Sequence, residues 1–250
     1  MPMNPRLLRP RATGFNPNSI AGLQVWLDGS DSTTFTMNGS TVSEWRDKSG
    51  NSRHFSQGTA LRQPAVTTAA KSGKSAVAFT NDWMTGVYTY NVGSIFAVWE
   101  QPTTQEGDGN ASIFGSRTSS SNKAANSSLA FLLTMPFSIT PGWTNPTIAV
   151  DPKPATASYR LNGAVPGASF TDFAVGVNIR TSPDRWQHMS ATFSPISGSK
   201  SFVLGADPFT ASSRLMQNGH IAECLFYSTQ LSDSEVLRVE RYLVAKWGLQ

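Results

Sequence analysis

The side chains able to do chemistry are few in this 250-residue chain, and they are scattered. The stretch DGSDSTTF brings Asp28 and Asp31 together with hydroxyls, hard oxygen donors of the kind calcium takes. It is not an EF-hand loop, because position twelve counted from Asp28 is Gly39 rather than Glu. The same carboxylates can instead cap a tight turn through their own backbone. Cleavage of a glycosidic bond needs two carboxyl groups roughly 5–9.5 Å apart, flanking that bond. Glu44 and Asp47 do not alternate on one strand face, and Glu223 has no acidic neighbour in its strand. Asp47, in WRDKSGN, can bond Arg46 or the turn that follows it. His54, His188 and His220 are available as bases for a hydroxyl nucleophile, but no G-x-S-x-G elbow accompanies them. The histidines have no metal-ligand spacing. Cys224 is the only cysteine, which excludes an intrachain disulfide and fits a small buried hydrophobe.

Two further groups of residues could bind rather than react. Trp83, Tyr88, Tyr90 and Trp143 lie in loop-like contexts, where exposed rings and nearby amides would suit a glycan; the alternative is that they pack a large core and its lid. The first 20 residues carry Arg6, Arg9 and Arg11 with Leu7 and Leu8 between them, and no acid precedes Asp28. Pro2, Pro5, Pro10 and Pro17 favour extended backbone, so residues 1–20 are expected to form an arm without a core of its own. Of a net charge of +4, three charges belong to this arm, which can be solvated or can dock on an acidic surface. A protein partner would use both the arginines and the leucines. Three charges are few for tight nucleic-acid binding, so nucleic acid is not expected.

The elements that must position these residues are mostly strands. Charged residues make up only 14% of the chain, and Gly, Ser, Thr, Asn and Pro are abundant, as in many short strands joined by turns. Leu23, Val25 and Leu27 alternate with Gln24, Trp26 and Asp28, and an Asp-Gly turn closes the run. SAVAFT and SIFAVWEQ have little polar interruption, as expected mid-sheet. In RWQHMSATF the face Gln187, Met189, Ala191 and Phe193 is the more apolar and should point inward, opposite Trp186, His188, Ser190 and Thr192. About a dozen such strands predict a sandwich or barrel. The chain then closes with a helix. Ser232 and Glu235 have capping-box spacing, Val236, Val239, Leu243 and Trp247 form one apolar stripe, and Gly248 is placed to end it. The stripe should lie against the strand IAECLFYS. No apolar run approaches the ~18–20 residues of a membrane span, and a secretory signal is not expected, in keeping with synthesis in a cytoplasm.

Three stretches together resemble the concanavalin A-like lectin/glucanase superfamily in its laminin G-like form. They are LQVWLDGSDSTTFTMNGSTVSEWRDKSGNSRHFSQ, RWQHMSATFSPISGSKSFVLGADP, and HIAECLFYSTQLSDSEVLRVERYLVAKWG, spanning most of residues 21–248. The resemblance implies an all-β jelly-roll sandwich over residues 21–250 with a short C-terminal helix, preceded by the arm of residues 1–20. Glucanases of this superfamily carry a Glu-x-Asp-x-x-Glu run on one strand. None exists here, so no enzyme is expected. Copies of the module in phages are often structural proteins. The expected role is therefore a virion component, a capsid decoration or a fibre or tail part, oligomeric in the particle and contacting capsid or tail subunits. The fold hosts many functions, and a carbohydrate-binding adhesion module is the alternative.

Overall fold

The computed structural model describes residues 14–89, 91–100, 110–117, 131–136, 149–150, 158–163, 186–196, 199–206, 215–216 and 218–249, with backbone alone for 110–117, 131–136, 149–150, 196 and 199–201. In chain order the strands are β1 (Leu23–Asp28), β2 (Phe35–Asn38), β3 (Thr41–Trp45), β4 (Phe55–Ser56), β5 (Ala65–Lys71), β6 (Lys74–Phe79), β7 (Met84–Thr89) and β8 (Val92–Glu100). They continue as β9 (Asn110–Arg117), β10 (Phe131–Pro136), β11 (Ala149–Val150), β12 (Ser158–Leu161), β13 (Trp186–Ile196), β14 (Ser199–Leu204) and β15 (Gly219–Tyr227), and helix α1 (Asp233–Trp247) follows.

The strands pair antiparallel in the order β11-β10-β9-β14-β7-β4-β3-β5-β6-β15-β8-β13-β12, with β1 added on β15 and β2 on β3. This sheet curls into a half-barrel, an all-β jelly-roll sandwich as expected. The curl places most of the buried apolar residues in two layers, with a small third cluster of Val203, Ala206 and Leu215 beside them. The inner layer holds Val25, Leu27, Trp45, Phe55, Phe79, Trp99, Phe193, Phe202 and Phe226. The outer layer lies between the sheet and α1. β8 contributes to both, Ile95, Ala97 and Trp99 inward and Phe96 and Val98 toward the helix, which accounts for its uninterrupted apolar sequence.

Two bulges decide which side chains meet α1. In β1 the register shifts between Leu23 and Val25, so strict alternation fails: Leu23 packs with the helix layer while Val25 and Leu27 face the inner core. In β15 the shift lies between Ile221 and Glu223. Ile221 is inward and Ala222 outward; continued alternation would drive Glu223 into the apolar inner layer. The bulge instead leaves Cys224 and Phe226 inward and brings Glu223, with Leu225 and Tyr227, to the helix side.

The helix follows the sequence reading closely. Val236, Val239, Leu243 and Trp247 are all buried in the outer layer, against β15 and its neighbours. Glu235 accepts the Ser232 backbone N–H at 2.9 Å and the Ser232 hydroxyl at 2.7 Å, so the first turn is closed from its own third residue. Gly248 ends the helix at φ 60°, ψ 42°. A side chain there would be strained and would also meet the Ser72 hydroxyl at 2.4 Å. That hydroxyl donates to the Trp247 carbonyl at 2.8 Å, so the β5–β6 hairpin caps the helix end.

Of the face of β13 expected inward, Met189, Ala191 and Phe193 are in the inner layer, and Gln187 is buried with its side-chain oxygen accepting from the Asn162 amide. The opposite face is buried as well, because α1 covers it: Trp186 packs in the helix layer and the Ser190 hydroxyl donates to Glu240 of α1 at 2.7 Å. Residues 14–20 of the expected arm lie on the domain itself. Ile20 is buried, Phe15 stacks obliquely on Tyr242 at 5.4 Å, and Tyr227 donates to the Pro17 carbonyl at 3.3 Å. Arg6, Leu7, Leu8, Arg9 and Arg11 fall outside the described residues.

Candidate functional site

The acidic turn after β1 is held by lysines. Asp28 Oδ1 accepts from the backbone and hydroxyl of Ser30 at 3.1 and 2.6 Å, and Asp31 Oδ1 accepts from those of Thr33 at 3.2 and 2.6 Å, the turn-capping alternative. Lys48 Nζ lies 2.8 Å from both Asp28 Oδ2 and Asp31 Oδ2, and Lys246 Nζ lies 2.6 Å from Asp28 Oδ1. Two ammonium groups thus supply the positive charge that a calcium ion would bring. Among the described residues, no three His, Cys, Asp or Glu side chains form a metal-binding group.

The ion pairs extend inward to Glu223, a residue that sequence reasoning passed over for want of an acidic neighbour. Its carboxyl is fully buried and fully engaged. Oε1 accepts from Trp26 Nε1 at 2.8 Å and the Tyr242 hydroxyl at 2.7 Å; Oε2 accepts from Trp247 Nε1 at 2.7 Å and pairs with Lys246 at 2.8 Å. Gly29 runs close to β15, its backbone N–H donating to the Ala222 carbonyl at 2.8 Å. A side chain there would meet the Ala222 carbonyl at 2.7 Å, beside the β15 bulge. Lys48 also lies 4.6 Å from the centre of the Trp26 ring, a cation–π contact. Asp47 clips the following turn to β1, accepting the Trp26 and Ser49 backbone N–H groups at 2.8 Å each and that of Arg53 at 3.1 Å. The segment WRDKSGN is therefore a structural clasp.

These contacts set opposing titration behaviour. Burial alone would raise Asp28, but Lys246, Lys48 and Ser30 outweigh it and leave its carboxyl below the usual range. Hydrogen bonds from Lys48 and then Thr33 hold Asp31 down at about 2. Burial pushes the Glu223 carboxyl up, against the pull of Lys246. Groups with lowered values stabilise the fold above their unfolded pKa and lose that contribution as pH falls through the folded one. Acid should therefore weaken the protein between the ordinary aspartate value, about 4, and the Asp31 value of about 2. Glu223 has the opposite sign: it takes up its proton more readily when folded. Urea midpoints measured from pH 5 to pH 2 should fall mainly at the acid end, and less in Asp31→Asn. An unchanged drop in that variant would show that the Asp31–Lys48 pair contributes nothing.

The aromatic candidates for a glycan are occupied where they are described. Trp83 packs on Val203, Ala206 and Leu215, and the Arg62 guanidinium lies 5.3 Å from its ring centre. Tyr88 packs on the inner layer and donates its hydroxyl to the His54 carbonyl, and burial, with Asp47 and Glu44 nearby, pushes it up to about 12. Tyr90 and Trp143 lie outside the described residues. Cys224 is buried and free, and burial raises its thiol, as expected of an inert core residue.

The histidines separate into three environments. His54 Nδ1 accepts the Asp47 backbone N–H at 3.0 Å, part of the clasp. His188 is buried beneath α1, where burial and then Arg160 lower it to about 4 and keep it neutral. His220 lies in a row across the outer face. Its Nε2 is 2.9 Å from the Thr67 hydroxyl of β5, and its Nδ1 is 2.5 Å from Glu100 Oε2 of β8. Its imidazole stacks on Trp186 at 5.9 Å, and Trp186 stacks on Trp247 of α1 at 6.4 Å. No local motif announces this row, because its members are 33 and 120 residues apart and are brought together by pairing of β15 with β6 and β8. Comparison of the chain with protein-family models, with curated proteins and with solved structures returns no match in any of the three.

Proposed function

We propose that the chain is a non-enzymatic structural protein of a phage particle, a capsid decoration or a fibre or tail component, held through its N-terminal arm. The observation that carries this reading is the anchored root of the arm. Phe15 lies between Tyr242 and the Arg238 guanidinium, each about as close as rings and cations pack, at 5.4 Å. The described chain is thus fixed on α1 at Phe15. Arg6, Arg9 and Arg11 offer forked donors that match carboxylates bidentately, and Leu7 and Leu8 add apolar contact. That pairing suits an acidic protein groove on a capsid or tail subunit. The closed clusters around Asp28, Glu223 and Glu240 support a structural role, since their carboxylates are spent on holding α1 and the turns. Occupied rings at Trp83 and Tyr88 favour this reading over the carbohydrate-binding alternative.

The truncation that tests it removes residues 1–13 and keeps Phe15, Pro17 and Ile20, which pack on the domain. The shortened protein should remain folded and soluble but no longer join particles in an assembly assay. Normal occupancy of the particle by the truncated protein would overturn attachment through the arm. Retention of specific binding on a glycan array by this protein would favour the adhesion module.

A further inference from the structure

We propose that Thr67 is an activated hydroxyl, a site at which this protein accepts an acyl group from an ester. The structural role proposed above makes no use of the row Thr67–His220–Glu100, and the row has the order that nucleophile activation requires. A hydroxyl is a weak nucleophile until an adjacent base takes its proton, and the base must be oriented by a third group. Glu100 supplies that third group. As a carboxylate it only accepts hydrogen bonds, so the proton of a neutral imidazole belongs on Nδ1, which donates to Oε2 at 2.5 Å. The lone pair of Nε2 is then left facing the Thr67 hydroxyl at 2.9 Å.

The sheet gives this arrangement its rigidity. His220 pairs in register with Ala78 of β6 on one side and Glu100 of β8 on the other, and Glu100 pairs with Trp186 of β13. Across β6, His220 pairs with Ala78 while Thr67 of β5 pairs with Ala76, so only two small side chains of β6 stand between the imidazole and the Thr67 hydroxyl. Trp186 fixes the ring plane by stacking, and is itself stacked on Trp247 from the closing helix. The row is also reachable. The His220 and Glu100 side chains keep 20% and 15% of their surface exposed, and Thr67 is half-buried.

In the proposed step the Thr67 oxygen attacks the carbonyl carbon of an ester, and its proton passes to His220 Nε2. The carbonyl π pair moves to oxygen. When it returns, the bond to the leaving alkoxide or phenolate breaks; that group either takes the proton from Nε2 or departs as the anion while Nε2 gives its proton to solvent. The products are a threonine ester and an alcohol, with no oxidant, reductant or metal required. Acceptance of a single group is stoichiometric and is compatible with a structural protein.

The test treats the full-length protein with p-nitrophenyl acetate and maps acetylation by peptide mass spectrometry. Thr68, exposed next to Thr67 on β5, is the control within the same molecule. Thr67 should acetylate faster than Thr68 by on the order of a hundredfold, the range general-base assistance supplies. Thr67→Ser should keep the label, the isosteric Thr67→Val should lose it, and His220→Ala should bring the Thr67 to Thr68 ratio to about one. Glu100→Gln should lower the ratio while leaving it above that of His220→Ala. Equal labelling of the two threonines in the unaltered protein, or an unchanged ratio in His220→Ala, would overturn the proposal and leave the row as hydrogen bonding alone.

Discussion

Replacing Trp247 with alanine is expected to lower the stability of the folded protein by about 3–5 kcal/mol, the usual cost of deleting a buried aromatic side chain. The ring is fully buried, stacks nearly parallel on Trp186, and donates its indole N–H to Glu223 at 2.7 Å. Alanine removes all three contributions and opens a cavity between α1 and the outer face of the sheet. Trp247→Phe should cost less, because it keeps most of the packing and loses the donor. Urea denaturation reads the effect as a shift of the midpoint at constant slope. A loss in Trp247→Ala below about 1 kcal/mol, smaller than that of ordinary large-to-small core changes, would mean that the helix is not part of the cooperative unit.

The second large effect belongs to Glu223→Ala, also expected at about 3–5 kcal/mol, as when one partner of a buried ion pair is removed. The deletion leaves three donors without their acceptor: Trp26 Nε1, the Tyr242 hydroxyl and Trp247 Nε1. Lys246 loses one of its two carboxylate partners and keeps Asp28. Glu223→Gln should cost less, since it preserves the shape and one acceptor oxygen. Because Trp247 and Glu223 share a hydrogen bond, the double alanine variant should lose less than the sum of the two single changes. Additive losses would show that the two residues contribute independently and that the cluster is not one unit.

Much of the fold was legible because it is local or periodic. The helix is the clearest case. Ser232, Glu235, the stripe from Val236 to Trp247 and Gly248 all lie within seventeen residues. Helical hydrogen bonds connect neighbours in sequence, so start, buried face and stop are written next to one another. The inward face of β13 was legible for a similar reason, since apolar residues at every second position mark the face a strand turns to the core; the burial of its other face beneath α1 was not. The turn-capping role open to Asp28 and Asp31 involves partners only two residues away.

What the sequence by itself determined, then, is the all-β class, the closing helix with its ends and buried stripe, and the turn chemistry. The tertiary structure decided which distant side chains share a face. A strand alternates with period two only while its register holds, and a bulge is visible only when the partner strand is in place. The bulge in β15 turns Glu223 from the inner core toward α1, where Trp26, Tyr242, Lys246 and Trp247 converge on it. The one in β1 turns Leu23 the same way. The Thr67–His220–Glu100 row likewise has no sequence signature. Its three members belong to strands whose adjacency follows from the order in which the sheet curls, because hydrogen bonding between strands joins residues without regard to their separation along the chain.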